Sequence, residues 1–127
     1  MAIGRSHHIA MRSPNYEETR RFYSEILGFP IVGQIPGGDI VFIDIGGTTI
    51  ELMPAPEDAE PGPRRACGLM HLAFQVEDVD QVYNDLREKG VAFFVEPKDA
   101  HDIRLAFFRD PDGNELELFH SPSLTWE

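Results

Sequence analysis

Two histidines and two glutamates are the residues of this sequence whose types and spacing could do chemistry. His8 and His71 each open a short apolar run, and Glu51 and Glu117 each interrupt one. Their positions correspond, since His71 follows His8 by 63 residues and Glu117 follows Glu51 by 66. Imidazole nitrogens and carboxylate oxygens are ligands for divalent metal ions. Four such ligands on an octahedral ion would leave two positions for water or substrate oxygens, as Lewis-acid chemistry requires.

The runs around these four residues have the pattern of β-strands, in which side chains alternate between the two faces. Ile50 and Leu52 would share one face, and Glu51 would then point to the other. In the second half Leu116 and Leu118 would likewise share one face, and Glu117 would point to the other. Each half is therefore expected to present one imidazole and one carboxylate.

Each of these residues also has a simpler interpretation. A single histidine on a strand is usually structural, and a single glutamate between apolar residues often protects an edge strand from aggregation. The recurrence of both types in both halves favours a metal site. His7 is the alternative to His8, because a register shift of one residue would exchange the two faces. The match of His8-Ile9-Ala10-Met11 to His71-Leu72-Ala73-Phe74 favours His8 and predicts that His7 faces the opposite side.

The chain reads as two copies of a β-α-β-β-β unit. In the first, a helix begins at Ser13-Pro14 or Asn15 and ends at Gly28; in the second, a helix runs from Asp78 to Gly90. Gly46-Gly47 predicts a hairpin turn. The predicted strands cover residues 8–11, 31–32, 40–45, 48–53, 69–76, 91–95, 103–108 and 115–119.

A proline-rich loop joins the two copies. Residues 54–63 contain four prolines, which are excluded from helix interiors and central strands. The sequence therefore predicts one domain, residues 1–127, of the α+β class. It consists of modules 1–53 and 69–120 joined by loop 54–68.

Composition limits the partners and the compartment. With 22 acidic and 11 basic residues the net charge is −11, so nucleic acid and anionic membranes are poor partners. Cys67 is the only cysteine, which excludes an intrachain disulfide. No signal segment opens the chain, and no apolar run approaches the roughly 20 residues of a membrane-spanning helix. A cytoplasmic protein is expected.

The same runs resemble the vicinal-oxygen-chelate superfamily, which includes glyoxalases, bleomycin resistance proteins and dioxygenases. The resemblance rests on residues 8–11, on Phe22-Tyr23 ahead of Leu27-Gly28-Phe29, and on residues 110–114 ahead of Glu117, and it covers essentially the whole chain. It implies two βαβββ modules whose curled mixed sheets form a cup around one divalent ion. Nickel, zinc, cobalt, manganese and iron all remain admissible.

Within the superfamily, the His-Glu-His-Glu set most resembles that of glyoxalase I, or lactoylglutathione lyase. Extradiol dioxygenases and fosfomycin-modifying transferases resemble a two-His, one-Glu pattern. Methylmalonyl-CoA epimerases tend to carry glutamine at the position of Glu51, and bleomycin-binding members generally lack the set. Arg12 matches a glutathione-contacting arginine of glyoxalase I, whereas Ala55 replaces an asparagine that contacts glutathione there.

The resemblance implies proton transfer next to a carbonyl of a hemithioacetal or related vicinal-oxygen substrate, through an enediolate. Glu117 would be the base and Glu51 the partner carboxylate, although their near symmetry leaves this assignment open. Arg12 would bind the substrate, which is expected to be a small molecule such as a thiol conjugate.

The resemblance also implies a homodimer, because paired modules in this superfamily often come from two chains. The loop at residues 54–63 is long enough for such an exchange. Two alternatives remain for the function. One is a metal-free small-molecule-binding or resistance protein, and the other is a different enzyme of the superfamily, such as an epimerase or dioxygenase.

Overall fold

Each half of the chain folds as β-α-β-β-β, which confirms the predicted α+β class and the two βαβββ modules. The computed structural model describes residues 3–37, 39–60 and 68–124. Residues 61–67 of the predicted joining loop, with Cys67, lie outside the described residues. The chain divides into two compact units, Met1–Pro61 and Gly62–Glu127.

The first unit is a four-stranded mixed sheet with one helical segment. Its elements in chain order are β1 His8–Ser13, α1 Tyr16–Arg21 with a π-helical continuation Phe22–Ile26, β2 Ile31–Ile35, β3 Ile40–Asp44 and β4 Thr49–Pro54. The strand order is β1-β4-β3-β2, with β1 parallel to β4 and the other pairs antiparallel. The first strand of the unit therefore lies beside the last.

The second unit repeats this topology. Its elements are β5 Leu72–Gln75, α2 Val79–Glu88, β6 Phe93–Ala100, β7 Ile103–Arg109 and β8 Glu115–His120. The order is β5-β8-β7-β6, again with the first and last strands parallel and adjacent. The same pairing in both units places equivalent residues of β1 and β5 beside equivalent residues of β4 and β8.

The alternation predicted for the last strand of each unit is confirmed. Ile50 and Leu52 on β4 are fully buried, as is Leu116 on β8, and Leu118 is 2 % exposed. Burying a side chain of this size stabilises the fold by about 1.5–3 kcal/mol. A slip of one residue would expose these apolar side chains to water, so their burial fixes which face the intervening glutamates occupy.

Local signals explain where several elements begin. The Asp78 carboxylate accepts a hydrogen bond of 3.0 Å from the backbone N–H of Gln81, which caps α2. Asn15 precedes α1 without a side-chain cap, and its own N–H donates to Ser13 Oγ at 3.0 Å. Gly46 and Gly47 have φ of 84° and 93°, as the predicted turn between β3 and β4 requires.

Several strand boundaries differ from the prediction, most of all those of β5 and β6. β6 continues to Ala100 through Pro97, well past the predicted end at residue 95. It is an edge strand whose pairing with β7 shifts register between Val95 and Lys98, so the missing N–H of proline is tolerated there. β5 is shorter than residues 69–76 and begins at Leu72, so His71 lies just before the strand.

Candidate metal and catalytic site

The first imidazole–carboxylate pair lies on the two parallel strands of the first unit. The register places Ala10 of β1 opposite Glu51 of β4, and His8 Nε2 lies 3.6 Å from Glu51 Oε1. On the other side of Glu51, β3 presents Phe42, whose ring meets the His8 ring edge-to-face at a centroid distance of 5.6 Å. The imidazole is thus held between a carboxylate and an aromatic ring.

The second pair has the same construction. Ala73 of β5 stands opposite Glu117 of β8, and His71 Nε2 lies 3.2 Å from Glu117 Oε1. Phe107 of β7 is the cross-strand neighbour of Glu117 and meets the His71 ring edge-to-face at 5.2 Å. The correspondence of Phe107 with Phe42 extends the repeat to the aromatic neighbour.

The donor atoms and their separations fit a divalent ion. Two ligands that each lie about 2.1 Å from an ion are about 3.0 Å apart at an octahedral angle and about 3.4 Å apart at a tetrahedral angle. The observed N–O separations of 3.2 and 3.6 Å are close to these values. Within residues 3–37, 39–60 and 68–124, no group of three or more His, Cys, Asp or Glu side chains is placed to hold an ion. Each unit supplies a pair, and convergence of all four residues on one ion stays a prediction.

The environments of the two glutamates differ. The Glu117 side chain is 9 % exposed and the Glu51 side chain 14 %. Burial raises the pKa of Glu117 above its ordinary value, and the neighbouring His71 imidazole offsets part of that rise. A carboxylate with increased proton affinity is better suited to accept a proton from carbon.

The predicted substrate residue Arg12 is exposed on β1. It is two residues beyond Ala10 and four beyond His8, so the alternation of the strand places it on the face of the His8–Glu51 pair. The equivalent position of β5 is Gln75, two residues beyond Ala73. A guanidinium accompanies the first pair and a neutral amide the second.

Phe94, Phe107 and Arg109 form an aromatic and cationic surface beside the second pair, and the sequence-based interpretation did not predict this surface. The rings of Phe94 and Phe107 lie 5.7 Å apart, and the Arg109 guanidinium carbon lies 3.8 Å above the Phe94 ring centroid. Phe94 is 40 % exposed, so this ring remains open to solvent and ligands. The alternation of side chains along β7 could have indicated this surface from the sequence, because it places Phe107 and Arg109 on one face.

The orientation predicted for His7 is wrong. Its ring centroid lies 5.1 Å from that of His8 and 6.0 Å from that of Phe42, the ring that His8 also contacts. The Nδ1 atoms of the two histidines are 2.8 Å apart. The alternation of a strand does not apply to His7, because β1 begins at His8.

Two βαβββ units, each pairing an imidazole at the start of its first strand with a carboxylate on the adjacent last strand, define a protein of the vicinal-oxygen-chelate class. The family model of the Glyoxalase/Bleomycin resistance protein/Dioxygenase superfamily matches residues 5–118. The chain belongs to this superfamily, as the sequence resemblance predicted.

Individual relatives cover a range of roles. The chain is 34 % identical to the uncharacterized protein YaeR of Escherichia coli (strain K12), over 94 % of this chain and 98 % of YaeR. It is 29 % identical to mitochondrial methylmalonyl-CoA epimerase of Bos taurus, over 87 % of this chain and 69 % of the epimerase. Among solved structures, TnmS3, an antibiotic binding protein from Streptomyces sp. CB03234, is 29 % identical with a TM-score of 0.73, covering 97 % of this chain and 99 % of TnmS3.

Superfamily membership is compatible with more than one function. Members typically bind a divalent ion and a small molecule, many are enzymes and many form dimers. In the part of the chain that the structure describes, neither helix is long and apolar enough to cross a membrane. A fold of this kind supports several chemistries, so the activity must be argued from the site.

Proposed function

We propose that this protein is a metal-dependent lyase or isomerase of the glyoxalase I type, acting on a hemithioacetal or a related substrate with two neighbouring oxygens. The supporting observation is the repeated pairing of an imidazole with a carboxylate, His8 with Glu51 and His71 with Glu117. Sequestration of an apolar compound does not need these four donors. Their retention at equivalent positions of both units favours an enzyme.

The four paired residues would hold the ion. A divalent ion bound by them supplies Lewis acidity, which stabilises negative charge that develops on substrate oxygens. Nickel, zinc, cobalt, manganese and iron are all compatible with two imidazoles and two carboxylates. In this proposal the two pairs combine either within one chain or across the two chains of a homodimer.

Glu117 is the base in this proposal. It accepts the proton from the substrate carbon next to the carbonyl and returns it to the neighbouring carbon. Its low exposure supports this role. Glu51 is the partner carboxylate of the other unit.

Substrate binding is assigned to Arg12, which lies on the face of the His8–Glu51 pair. The Arg12 guanidinium suits an anionic group of a thiol carrier, since it can donate two parallel hydrogen bonds to a carboxylate. Ala55 cannot make the asparagine contact of glyoxalase I. Thiols other than glutathione are therefore candidates for the carrier.

A second candidate is a metal-free binding protein. The exposed Phe94 ring under the Arg109 guanidinium offers a stacking surface for a flat organic molecule. The similarity to the antibiotic binding protein TnmS3 supports this candidate. A third candidate is an epimerase, which would also remove a proton from a carbon next to a carbonyl but would return a proton to the opposite face of the same carbon. The similarity to methylmalonyl-CoA epimerase supports this candidate.

Metal analysis combined with turnover separates these candidates. Purified protein is stripped of metal, reloaded with each of the five ions and assayed on the hemithioacetals of methylglyoxal with glutathione and with other thiols. Stoichiometric metal and metal-dependent isomerisation would support the lyase. Stoichiometric metal without activity on any hemithioacetal would move the proposal to an epimerase or another reaction, and tight ligand binding without metal would favour the binding protein.

A further inference from the structure

We infer that Arg109 and Phe94 form a subsite of the second unit that binds a flat, conjugated group bearing a carboxylate. The two side chains belong to neighbouring strands, β7 and β6, and lie beside the His71–Glu117 pair. Binding of such a group can be measured without metal. The further claim that the group is part of the substrate rests on the proposed function.

Ring contacts connect the subsite to the imidazole of the second pair. The His71 ring meets the Phe107 ring edge-to-face at 5.2 Å, and the Phe107 ring lies 5.7 Å from that of Phe94. The Arg109 guanidinium carbon lies 3.8 Å above the Phe94 ring centroid. Because Phe107 is also the cross-strand neighbour of Glu117, the subsite lies on the sheet face that carries the pair.

A strand irregularity presents Phe94 at the edge of the sheet. β2 and β6 each carry one extra residue where they pair with the next strand, Val32 in the first unit and Phe94 in the second. Bulges of this kind redirect a side chain and are frequent beside active sites. Both residues are exposed, Val32 to 57 % and Phe94 to 40 %, so only the second unit offers a ring at this position.

The first unit also lacks the cation. Its equivalent of Arg109 is Asp44, because each is the cross-strand neighbour of the residue two positions before the glutamate of its unit. The Asp44 carboxylate accepts a hydrogen bond of 2.9 Å from the backbone N–H of Gly46 and so belongs to the turn. In the second unit Asp110 accepts from two backbone N–H groups of the turn instead. The βαβββ fold therefore requires neither Phe94 nor Arg109, which favours a role in binding.

The chemistry of these side chains defines the ligand. The face of an aromatic ring attracts another flat conjugated group, and a guanidinium can donate two parallel hydrogen bonds to a carboxylate. Contact with the Phe94 ring restricts the long Arg109 side chain before a ligand arrives, which reduces the entropy lost on binding. The guanidinium lies toward β6, on the opposite side of β7 from its cross-strand neighbour Glu115. On a chain with a net charge of −11 it supplies the local positive charge that an anion needs.

Equilibrium binding to the metal-free protein tests the subsite. The probe is naphthoate, and its affinity is measured by calorimetry and by ¹H–¹⁵N chemical shifts. Naphthamide has the same rings without the charge, and decahydronaphthoate has the charge without a flat face. The wild type should bind naphthoate about tenfold or more tightly than either, with the shifts concentrated around Phe94, Phe107 and Arg109. A wild type that does not bind naphthoate, or does not prefer it, would overturn the inference.

Two substitutions separate the contributions of charge and ring. Arg109→Met keeps the length of the side chain and should weaken naphthoate binding by about tenfold or more, with little effect on naphthamide. Phe94→Val introduces the residue type of the first unit and should remove the preference for naphthoate over decahydronaphthoate. Both side chains are exposed, so the fold should tolerate the changes. Naphthoate binding that neither substitution alters would contradict the assigned subsite.

Arg87→Met is the matched control. The Arg87 guanidinium carbon also lies over an aromatic ring, that of Tyr83 at 5.3 Å, but both residues belong to helix α2. This substitution removes an arginine–aromatic contact of the same unit without touching the sheet face, so naphthoate binding should not change. An effect as large as that of Arg109→Met would show that naphthoate responds to the charge of the unit alone, which would refute the subsite.

Competition connects the subsite to the reaction. In metal-loaded protein that isomerises a hemithioacetal, naphthoate should inhibit competitively, and Arg109→Met should raise its inhibition constant by about tenfold or more. Naphthoate that binds the metal-free protein but does not affect turnover would overturn the claim that the subsite holds part of the substrate. Absence of turnover on every hemithioacetal would refute the proposed function, while binding to the metal-free protein decides the subsite separately.

Discussion

His71 Nε2 lies 3.2 Å from Glu117 Oε1, and the same two atoms of His8 and Glu51 lie 3.6 Å apart. The two units therefore repeat the donor types and the cross-strand placement. They do not repeat the surroundings, since His7 and Arg12 accompany the first pair and Met70 and Gln75 occupy the corresponding positions of the second. Glu117 is also the less exposed of the two glutamates, and its lower exposure is the basis for assigning different roles to two residues that are equivalent by position.

Replacing Glu117 with glutamine tests the proposed base. An amide keeps an oxygen that can bind metal but cannot accept a proton at neutral pH, so kcat should fall by about 10²- to 10⁴-fold with metal content largely kept. Steady-state kinetics and metal analysis of the same preparation provide the measurement. Glu51→Gln is the matched control and should reduce kcat less. Isomerisation that survives Glu117→Gln unchanged would refute the assignment of the base.

Replacing Arg12 with alanine tests the proposed substrate anchor. If the guanidinium only binds an anionic carrier, Arg12→Ala should raise KM by roughly tenfold or more with little change in kcat, because ground state and transition state lose the same contact. The effect should disappear with a neutral thiol. Gln75→Ala changes the equivalent position of the second unit and should leave KM nearly unaltered. An equal fall in kcat would place Arg12 in the chemical step instead.

The predicted homodimer can be tested by complementation. One variant carries His8→Ala with Glu51→Gln, and the other carries His71→Ala with Glu117→Gln. If each site combines the first unit of one chain with the second unit of its partner, mixing the two inactive variants should restore about a quarter of wild-type activity, since half of the dimers are mixed and each has one intact site.

Subunit exchange must be demonstrated for that experiment, by light scattering and mass spectrometry of the mixture. A mixture that exchanges subunits but stays inactive would show that each site is built within one chain. A monomer at micromolar concentration would contradict the homodimer and leave the metal proposal intact.

Leu116, one of the two buried neighbours of Glu117, should contribute strongly to the stability of the fold. Leu116 is fully buried, so Leu116→Ala should lower the free energy of unfolding by about 2–5 kcal/mol through lost burial and the cavity left behind. Leu69, which is 99 % exposed, supplies the control, and Leu69→Ala should change stability by less than about 0.5 kcal/mol. Denaturant unfolding measures both. Similar effects at the two positions would contradict the assigned register of β8.

Acid should weaken the second unit partly through Asp80. Arg104 donates hydrogen bonds of 2.8 Å to both oxygens of the Asp80 carboxylate, and these bonds lower the pKa of Asp80 below its ordinary value of 3.8. A carboxylate with a lowered folded-state pKa stabilises the fold above its unfolded pKa, and this contribution is lost as pH falls through the folded value. The loss should therefore begin near pH 4 and continue below it.

Asp80→Asn should flatten the pH dependence of unfolding in that range, and the effect should be small because both side chains are partly exposed to solvent. Asp58→Asn replaces an exposed carboxylate of the first unit and serves as the control. Equal slopes for wild type and Asp80→Asn below pH 4 would show that the ion pair contributes nothing to acid stability.

Features governed by neighbouring residues were predictable from sequence. The alternation of Ile50, Glu51 and Leu52 determines which side chains can be buried together, and burial makes any other register costly. The Gly46-Gly47 turn and the Asp78 cap follow from backbone conformations and hydrogen bonds within a few residues. These strand, turn and cap patterns recur at matched positions in the two halves, which was sufficient to predict two βαβββ units and the imidazole–carboxylate pairs.

Features that depend on residues distant in the chain were decided by tertiary structure. Whether His7 turns toward His8 depends on Thr49 and Phe42, which are more than thirty residues away in sequence. The Arg109–Phe94 stack requires β6 and β7 to pair in one register. The low exposure of Glu117 likewise arises from strands packed beside β8, because desolvation depends on everything that surrounds a carboxylate and sequence spacing describes only its own strand.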